Sequence, residues 1–396
     1  MRTDEIPTLM LIGNGPGEIT GWVLPVARRL RERAGAGVRL LLILPPSQFS
    51  SGEEGTVAAS SGLFDQIVRP WGAVRLALGL GDLRVTRPAA LLHLGGDLWV
   101  SRRLAARWGM PAFAYAETPL IARHRRAFAR IFVPSDGVAR RLAAAGIEEA
   151  RLLVSGDPRL DDLPRRDGAA GVGPLHVLLL AGSRLHFFRR LFPLWARTAL
   201  ALRRRLPEAA VTIAASPHLP PEIAEVVEPW RDRLARHGVT FRQIEAPEAM
   251  AGADLVITIP GTTTMQAAAA PVTALVVVPL QFTGAAPTEG VLQWLLSVPL
   301  LGAAIKRIAA PAYIRRQGFV SLPNRLTGRP ILPEMVAEVE PEALAAAAAA
   351  LLSDAPRRRR IEAELVDAAG PRGAAGRIAD RMLEAVAQRP IPVGAG

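Results

Sequence analysis

The chain contains no cysteine, so neither disulfides nor thiolate metal sites are available to it. Its 6 histidines are scattered, with no pair at metal-ligand spacing, and no metal centre is expected. Lysine is almost absent: of 48 basic residues only Lys306 is lysine and the rest are arginine. With only 2 tyrosines and no recognisable nucleic-acid motif, a nucleic-acid partner is not expected. Long uncharged runs are also scarce. The one that invites a membrane assignment lies between Asp254 and Glu289, where Pro260, Gly261 and three threonines break it into pieces shorter than the roughly 20 residues a spanning helix needs. It reads as strand, turn, helix, strand. The opening "MRTDEIPTLM" is acidic too early for a secretory signal, so a cytoplasmic location is expected.

What is present is apolar and basic. Half of the 396 residues are hydrophobic, enough for two cores, and the net charge is +12. Arginine runs stand at 28–33, 123–126, 203–205 and 357–360. Each can be a solvated helix face. Together they favour anionic partners, either phosphorylated substrates or an anionic membrane leaflet.

Short apolar runs alternate with helical patterns from the start. "TLMLIG", "VRLLLIL", "ALLHLGG", "PAFAYAE" and "RIFVPS" read as strands of a parallel α/β sheet. A polar, glycine-rich stretch at 163–173 reads as a linker. The pattern then restarts with "HVLLLAGS", a helix at 188–206, "AVTIAAS", a helix at 220–237, "VTFRQI", "DLVITIP" and "TALVVVPL". This predicts an N-terminal Rossmann-like domain at 1–165, a second at 174–340 and C-terminal helices at 341–390. Ligands in such sheets bind beyond the carboxyl ends of the strands, and two facing halves would leave a cleft there.

The first turn, "LMLIGNGPGEITGWVLPVARRL" at 9–30, carries Gly13, Gly15 and Gly17 between a strand and a helix. It is not a dinucleotide fingerprint. The glycine spacing differs, and the next strand ends in Pro45 and Pro46 rather than an acid. Glu18 would repel an anion but suits a sugar hydroxyl. A tight turn with no ligand is the alternative. In "LLHLGGDLWV", Asp97 follows Gly95 and Gly96 at a strand end, where it can be a general base or a helix N-cap. In the second half, Gly182, Ser183 and Arg184 follow one strand and Gly261, Thr262, Thr263 and Thr264 follow another. Backbone amides at helix starts, hydroxyls and a guanidinium suit a nucleotide diphosphate. Gln266 is placed to reach a ribose. "FVSLPNRLTGRPILPEM" at 319–335, with Asn324, Arg329 and Glu334, reads as a shaped polar loop or a connector.

These motifs, taken in order, resemble lipid-A-disaccharide synthase, a GT-B glycosyltransferase family. The family's "GEASGD" is similar to "GEITGW" at 17–22, "DSPDFN" to "GGDLWV" at 95–100, and "GHPLLD" to "GDPRLD" at 156–161. Its "PGSR" is similar to "AGSR" at 181–184 and "GTATLE" to "GTTTMQ" at 261–266. The most specific match is "SLPN…GR…PE", at Ser321–Asn324, Gly328–Arg329 and Pro333–Glu334, and the matches span roughly 9–337. Trp22 stands where the family has aspartate, Phe187 where it has glutamate and Gln266 where it has the ribose-binding glutamate, and 281–318 carries extra apolar sequence.

The resemblance implies an α/β GT-B fold and a metal-independent inverting glycosyltransferase without a cofactor. It would move an acylated glucosamine from a UDP-sugar to a lipid-linked sugar phosphate, with peripheral attachment to the inner face of the cytoplasmic membrane. It implies Asp97 as catalytic base, with Glu18 the second catalytic candidate. Gly17, Gly182, Ser183, Arg184, Gly261, Thr262, Thr263, Thr264, Gln266, Asn324 and Arg329 would bind substrate. Alternatives are another UDP-sugar or acceptor, a UDP-sugar 2-epimerase, or a catalytically silent membrane-docking relative. The segment "GVLQWLLSVPLLGAAIKR" at 290–307 is either membrane-resting or core.

Overall fold

The computed structural model describes residues 6–47, 50, 52–163, 174–285 and 318–387, and the segment 290–307 lies outside them. The chain divides into two compact units, residues 1–162 with 370–396 and residues 163–369.

The first unit is built on seven parallel strands: β1 (Thr8–Ile12), β2 (Arg39–Ile43), β3 (Gln66–Val68), β4 (Ala89–His93), β5 (Ala112–Tyr115), β6 (Arg130–Val133) and β7 (Leu152–Val154). Their order is β3-β2-β1-β4-β5-β6-β7. β1 and β4 are buried along their whole length, as expected of central parallel strands covered on both faces. The helix Leu24–Ala34 buries Val26, Ala27 and Leu30 on the sheet and leaves Arg28 exposed to pair with Asp162 at 2.6 Å. The helix Leu98–Trp108 stops at Gly109, whose φ of 56° supplies the left-handed cap.

The helix Ala374–Ala387 belongs to this unit, where Ile378, Ala379, Met382 and Val386 join Leu9, Leu11, Val26 and Leu30 in one core. The turn after β7 secures it. The Asp161 carboxylate accepts the backbone N–H groups of Gly373, Ala374 and Ala375 at 2.7, 2.9 and 2.7 Å. Those amides are the unpaired donors of a helix start. Gly156, at φ 86°, lies so close that a Cβ there would stand 1.8 Å from the Pro371 carbonyl oxygen. "GDPRLD" is thus a clasp for the returning chain.

The second unit holds six parallel strands: β8 (His176–Leu180), β9 (Ala210–Ala215), β10 (Val239–Gln243), β11 (Leu255–Thr258), β12 (Ala274–Pro279) and β13 (Glu334–Ala337), in the order β10-β9-β8-β11-β12-β13. The uncharged stretch after Asp254 forms β11, the helix Thr262–Ala269 and β12. Among the described residues no helix is long and apolar enough to cross a membrane. Trp195, on the helix Leu185–Arg205, is fully buried and donates from Nε1 to the Leu180 carbonyl at 2.8 Å. The helices Pro341–Ser353 and Ala355–Ala369 complete this unit, so the helices expected as one block at 341–390 are divided between the two units.

Candidate functional site

In each sheet the strand order reverses direction once, between β1 and β4 in the first unit and between β8 and β11 in the second. Neighbouring strands then send their following turns to opposite sides, leaving a crevice at their carboxyl ends. The four sequence motifs follow these four strands.

In the first unit the turns after β1 and β4 are tied together by Glu18. Its Oε2 accepts the Asn14 N–H at 2.8 Å and its Oε1 accepts the Gly96 N–H at 3.2 Å. Burial raises its pKa above 4.5, outweighing the lowering by the Asn14, Gly96 and Gly15 N–H groups, and nearby Glu54 adds repulsion. Gly95 makes room for it: a Cβ there would stand 2.1–2.5 Å from the carboxylate atoms. Glu18 is therefore turned inward as a brace. Gly17, beside it, has nothing within 4 Å of where a Cβ would point. The backbone winds as a single π-helical stretch at Ile19–Val23, a rare conformation often found at functional sites.

Asp97 caps the helix Leu98–Trp108, its Oδ1 accepting the Trp99 N–H at 2.8 Å. The residue is exposed, and its Oδ2 has no hydrogen-bond partner among the described residues. The cap and an available carboxylate oxygen thus coexist. Beneath, at the end of β4, His93 is buried with its Nδ1 2.8 Å from the Ser101 hydroxyl. Burial lowers its pKa to about 4, Asp97 opposing and His124 adding to the shift.

Trp22 packs over the Arg159 guanidinium at 5.1 Å and lies 5.2 Å from the Tyr115 ring. Arg159 is ion-paired with Glu117 and, at 2.6 Å, with the fully buried Asp157 carboxylate. Burial alone would lower its pKa, but Glu117 and Asp157 more than offset this and hold it charged. Burial, Asp157 and Glu117 push the Tyr115 phenol well up. This network was not foreseen from the sequence. Its one signal was the charge pattern of "GDPRLD".

In the second unit β8 and β11 are hydrogen-bonded neighbours. The turn after β8 leads through Gly182, Ser183 and Arg184 into the helix Leu185–Arg205, and the turn after β11 leads through Gly261 into the helix Thr262–Ala269. Ser183, Arg184, Gly261 and Thr262 are exposed, and a Cβ on Gly182 or Gly261 would meet nothing within 4 Å. Neither helix start carries a side-chain cap. The other threonine hydroxyls are engaged locally. Thr263 pairs with Thr258 at 3.0 Å, while Thr264 donates to the Gly261 carbonyl at 2.7 Å and accepts the Leu322 N–H at 3.2 Å. Among the described residues the buried Gln266 Oε1 has no partner.

Two expected ligand-binding residues are placed elsewhere. Asn324 is fully buried. It donates to the Leu332 carbonyl and to Glu334 Oε1, both at 2.8 Å, and accepts the Leu332 N–H at 2.8 Å. Both of its N–H donors are spent within the loop. Glu334 completes the arrangement by accepting from the Ser321 hydroxyl at 2.7 Å and from the N–H groups of Val320 and Ser321 at 3.0 and 2.9 Å. The "SLPN…PE" motif is a self-satisfied lock, not an open loop. Arg329 pairs with Glu364 at 2.8 Å, on the surface.

Two Rossmann-like parallel sheets with glycine turns at their own switch points define the GT-B class of fold. At this level the chain is similar to a UDP-N-acetylglucosamine 2-epimerase, with TM-score 0.52 and 15% identity over 96% of this chain and 95% of that one. It is equally similar to the glycotransferase of kitacinnamycin, with TM-score 0.52 and 16% identity over 96% and 99%. In sequence about half of the chain is similar to lipid-A-disaccharide synthases. It is 33% identical over 225 residues to that of Alkalilimnicola ehrlichii and 27% identical over 225 residues to that of Burkholderia thailandensis, each match covering 54% of this chain and 50% of the relative. The chain spans about half the length of the curated relatives it matches. No family model matches it.

Proposed function

We propose that the protein is a UDP-sugar-dependent glycosyltransferase that moves an acylated glucosamine to a lipid-linked sugar phosphate. One observation carries this reading. Exposed, uncapped helix starts follow both β8 and β11, with open space at Gly182 and Gly261. Such starts offer backbone N–H groups and the positive end of a helix dipole to an anion, and Arg184 adds a guanidinium. The second unit would hold the UDP, its diphosphate against Ser183, Arg184 and the 261–263 turn, with Gln266 of the following helix the ribose candidate. The similarity to lipid-A-disaccharide synthases supports the donor and acceptor classes.

In this reaction the acceptor hydroxyl oxygen attacks the anomeric carbon and its proton passes to Asp97. The bond from that carbon to the diphosphate oxygen breaks, and UDP leaves with the electron pair. Arg184 and the helix-start amides stabilise the negative charge that develops on UDP. Asp97 suits the base because, among the described residues, its Oδ2 has no hydrogen-bond partner while its Oδ1 is fixed by the cap. Glu18 acts through the turn it braces and is a positioning residue.

Mass spectrometry of products from UDP-diacylglucosamine and a diacylglucosamine 1-phosphate tests the reading. A disaccharide with release of UDP is expected. Epimerised donor formed without acceptor would instead establish the 2-epimerase reading, which the fold neighbours make the next to test. Neither product, with no UDP binding by calorimetry, would leave a catalytically silent relative.

A further inference from the structure

The loop after β9 presents a histidine that the reaction above leaves unused. "AASPHLPPEI" at 214–223 runs from the end of β9 into the helix Ile223–Arg236. Pro217, Pro220 and Pro221 fix their own φ angles and stiffen this loop. The Ser216 hydroxyl accepts the His218 N–H at 3.3 Å, the Ser216 carbonyl accepts the Leu219 N–H at 3.2 Å, and Leu219 is buried. The backbone is thus pinned on both sides of His218, whose side chain is left 82% exposed.

His218 is held by Glu245, which follows β10. Its Nε2 stands 2.9 Å from Glu245 Oε1. Glu245 occupies the N-cap position of the helix Ala246–Met250, yet makes no side-chain cap bond there. Its carboxylate serves the imidazole instead of its own helix. Both side chains are more than half exposed, where such a pair adds little to stability. The pairing has a chemical consequence. A carboxylate only accepts, so Nε2 carries the proton, and in the neutral ring Nδ1 keeps a lone pair. Among the described residues Nδ1 has no hydrogen-bond partner.

The place of this acceptor follows from the strand order. β9 lies beside β8 on the side away from β11. The loop after β9 meets the turn after β8, where the Ser216 N–H donates to the Gly182 carbonyl at 3.5 Å. The proposed diphosphate spans the turns after β8 and β11, and Gln266, the ribose candidate, stands on the β11 side. The phosphate that carries the transferred sugar would then fall on the β8 side, with the sugar extending towards β9. A sugar ring offers hydroxyl donors to a lone pair, whereas an ionised phosphate offers none.

Resting on the glycosyltransferase reading above, we infer that His218 recognises the donor sugar, its Nδ1 accepting one hydroxyl. Glu245 is the positioning residue that fixes the ring and its tautomer.

Calorimetry with UDP and with UDP-N-acetylglucosamine, on the full chain, tests this. His218→Ala should weaken UDP-N-acetylglucosamine binding by roughly threefold to tenfold, the worth of one hydrogen bond, and leave UDP binding unchanged. His218→Asn, whose amide oxygen can stand near the place of Nδ1, should recover part of the loss. Glu245→Gln should bind like wild type, because its amide oxygen still accepts from Nε2. Glu245→Ala should follow His218→Ala. Melting curves should be unchanged throughout, and the two conservative variants carry the test if an alanine variant melts early. Equal loss for UDP and for its sugar conjugate would assign His218 to the nucleotide, and no loss for either would leave it a surface residue. Each of these results overturns the inference, while UDP binding by the wild type keeps the donor class intact. A wild type that binds neither ligand overturns the glycosyltransferase reading itself, and this inference with it.

Discussion

The Glu18 carboxylate occupies the space in which a side chain at position 95 would stand. Gly95→Ala should therefore force the brace out and part the two turns it joins. The expected result is a loss of turnover with UDP affinity retained, because the turns proposed to hold the nucleotide belong to the other unit. Steady-state kinetics beside UDP calorimetry checks this. Wild-type kcat in the alanine variant would show that the brace has no bearing on the chemistry.

The two roles of Asp97 separate by substitution. Asp97→Asn keeps a capping oxygen but cannot accept a proton, so it should melt like wild type and lose roughly 10²-fold or more in turnover. Asp97→Ala should lose the same activity and, in addition, about 1 kcal/mol of stability with the cap. An asparagine variant that turns over normally would place the base elsewhere.

Donor binding should be sensitive at the second switch point. Gly261→Val puts a branched side chain into space now open, and Arg184→Ala removes a fixed cation. Each should weaken UDP binding in calorimetry. Unchanged affinity in both variants would move the nucleotide out of these turns.

His93 makes the first unit acid-sensitive. Its native pKa is about 4, below the 6.5 of an ordinary imidazole, so between these pH values the unfolded chain takes up a proton that the native state refuses. Stability is full above pH 6.5, falls as the pH drops towards 4, and levels off below. A difference of 2.5 units corresponds to about 3 kcal/mol across that window. Denaturant melts at pH 7 and pH 5 should show the loss in wild type. It should be much smaller in His93→Asn, which can still pair with Ser101.

The strands that position the site were legible in the sequence because central parallel strands are apolar along their whole length. β3, β7 and β13 were not recognised. They are three or four residues long and mostly half-buried, so no apolar run marks them. The glycine turns were legible because glycine after such a run interrupts it visibly. The inward turn of Glu18 was not, since it depends on Gly95, 77 positions away in the chain. The lock around Asn324 was equally hidden. Its polar residues read as solvent-facing until Leu332 and Glu334 were seen to satisfy them.

The clasp at Asp161 has a consequence for how the molecule is made. During synthesis the first seven strands emerge early, yet the core that Leu9, Leu11, Val26 and Leu30 share is completed only when the helix Ala374–Ala387 arrives, after the entire second unit. The second unit is in effect an insertion within the first, and the nascent N-terminal half must wait, apolar and open, for residues from the far end. A nonsense mutation anywhere before Gly373 would thus not trim a tail. It would leave the unit carrying Asp97 without one wall of its core, a substrate for chaperones and proteases rather than a shorter enzyme.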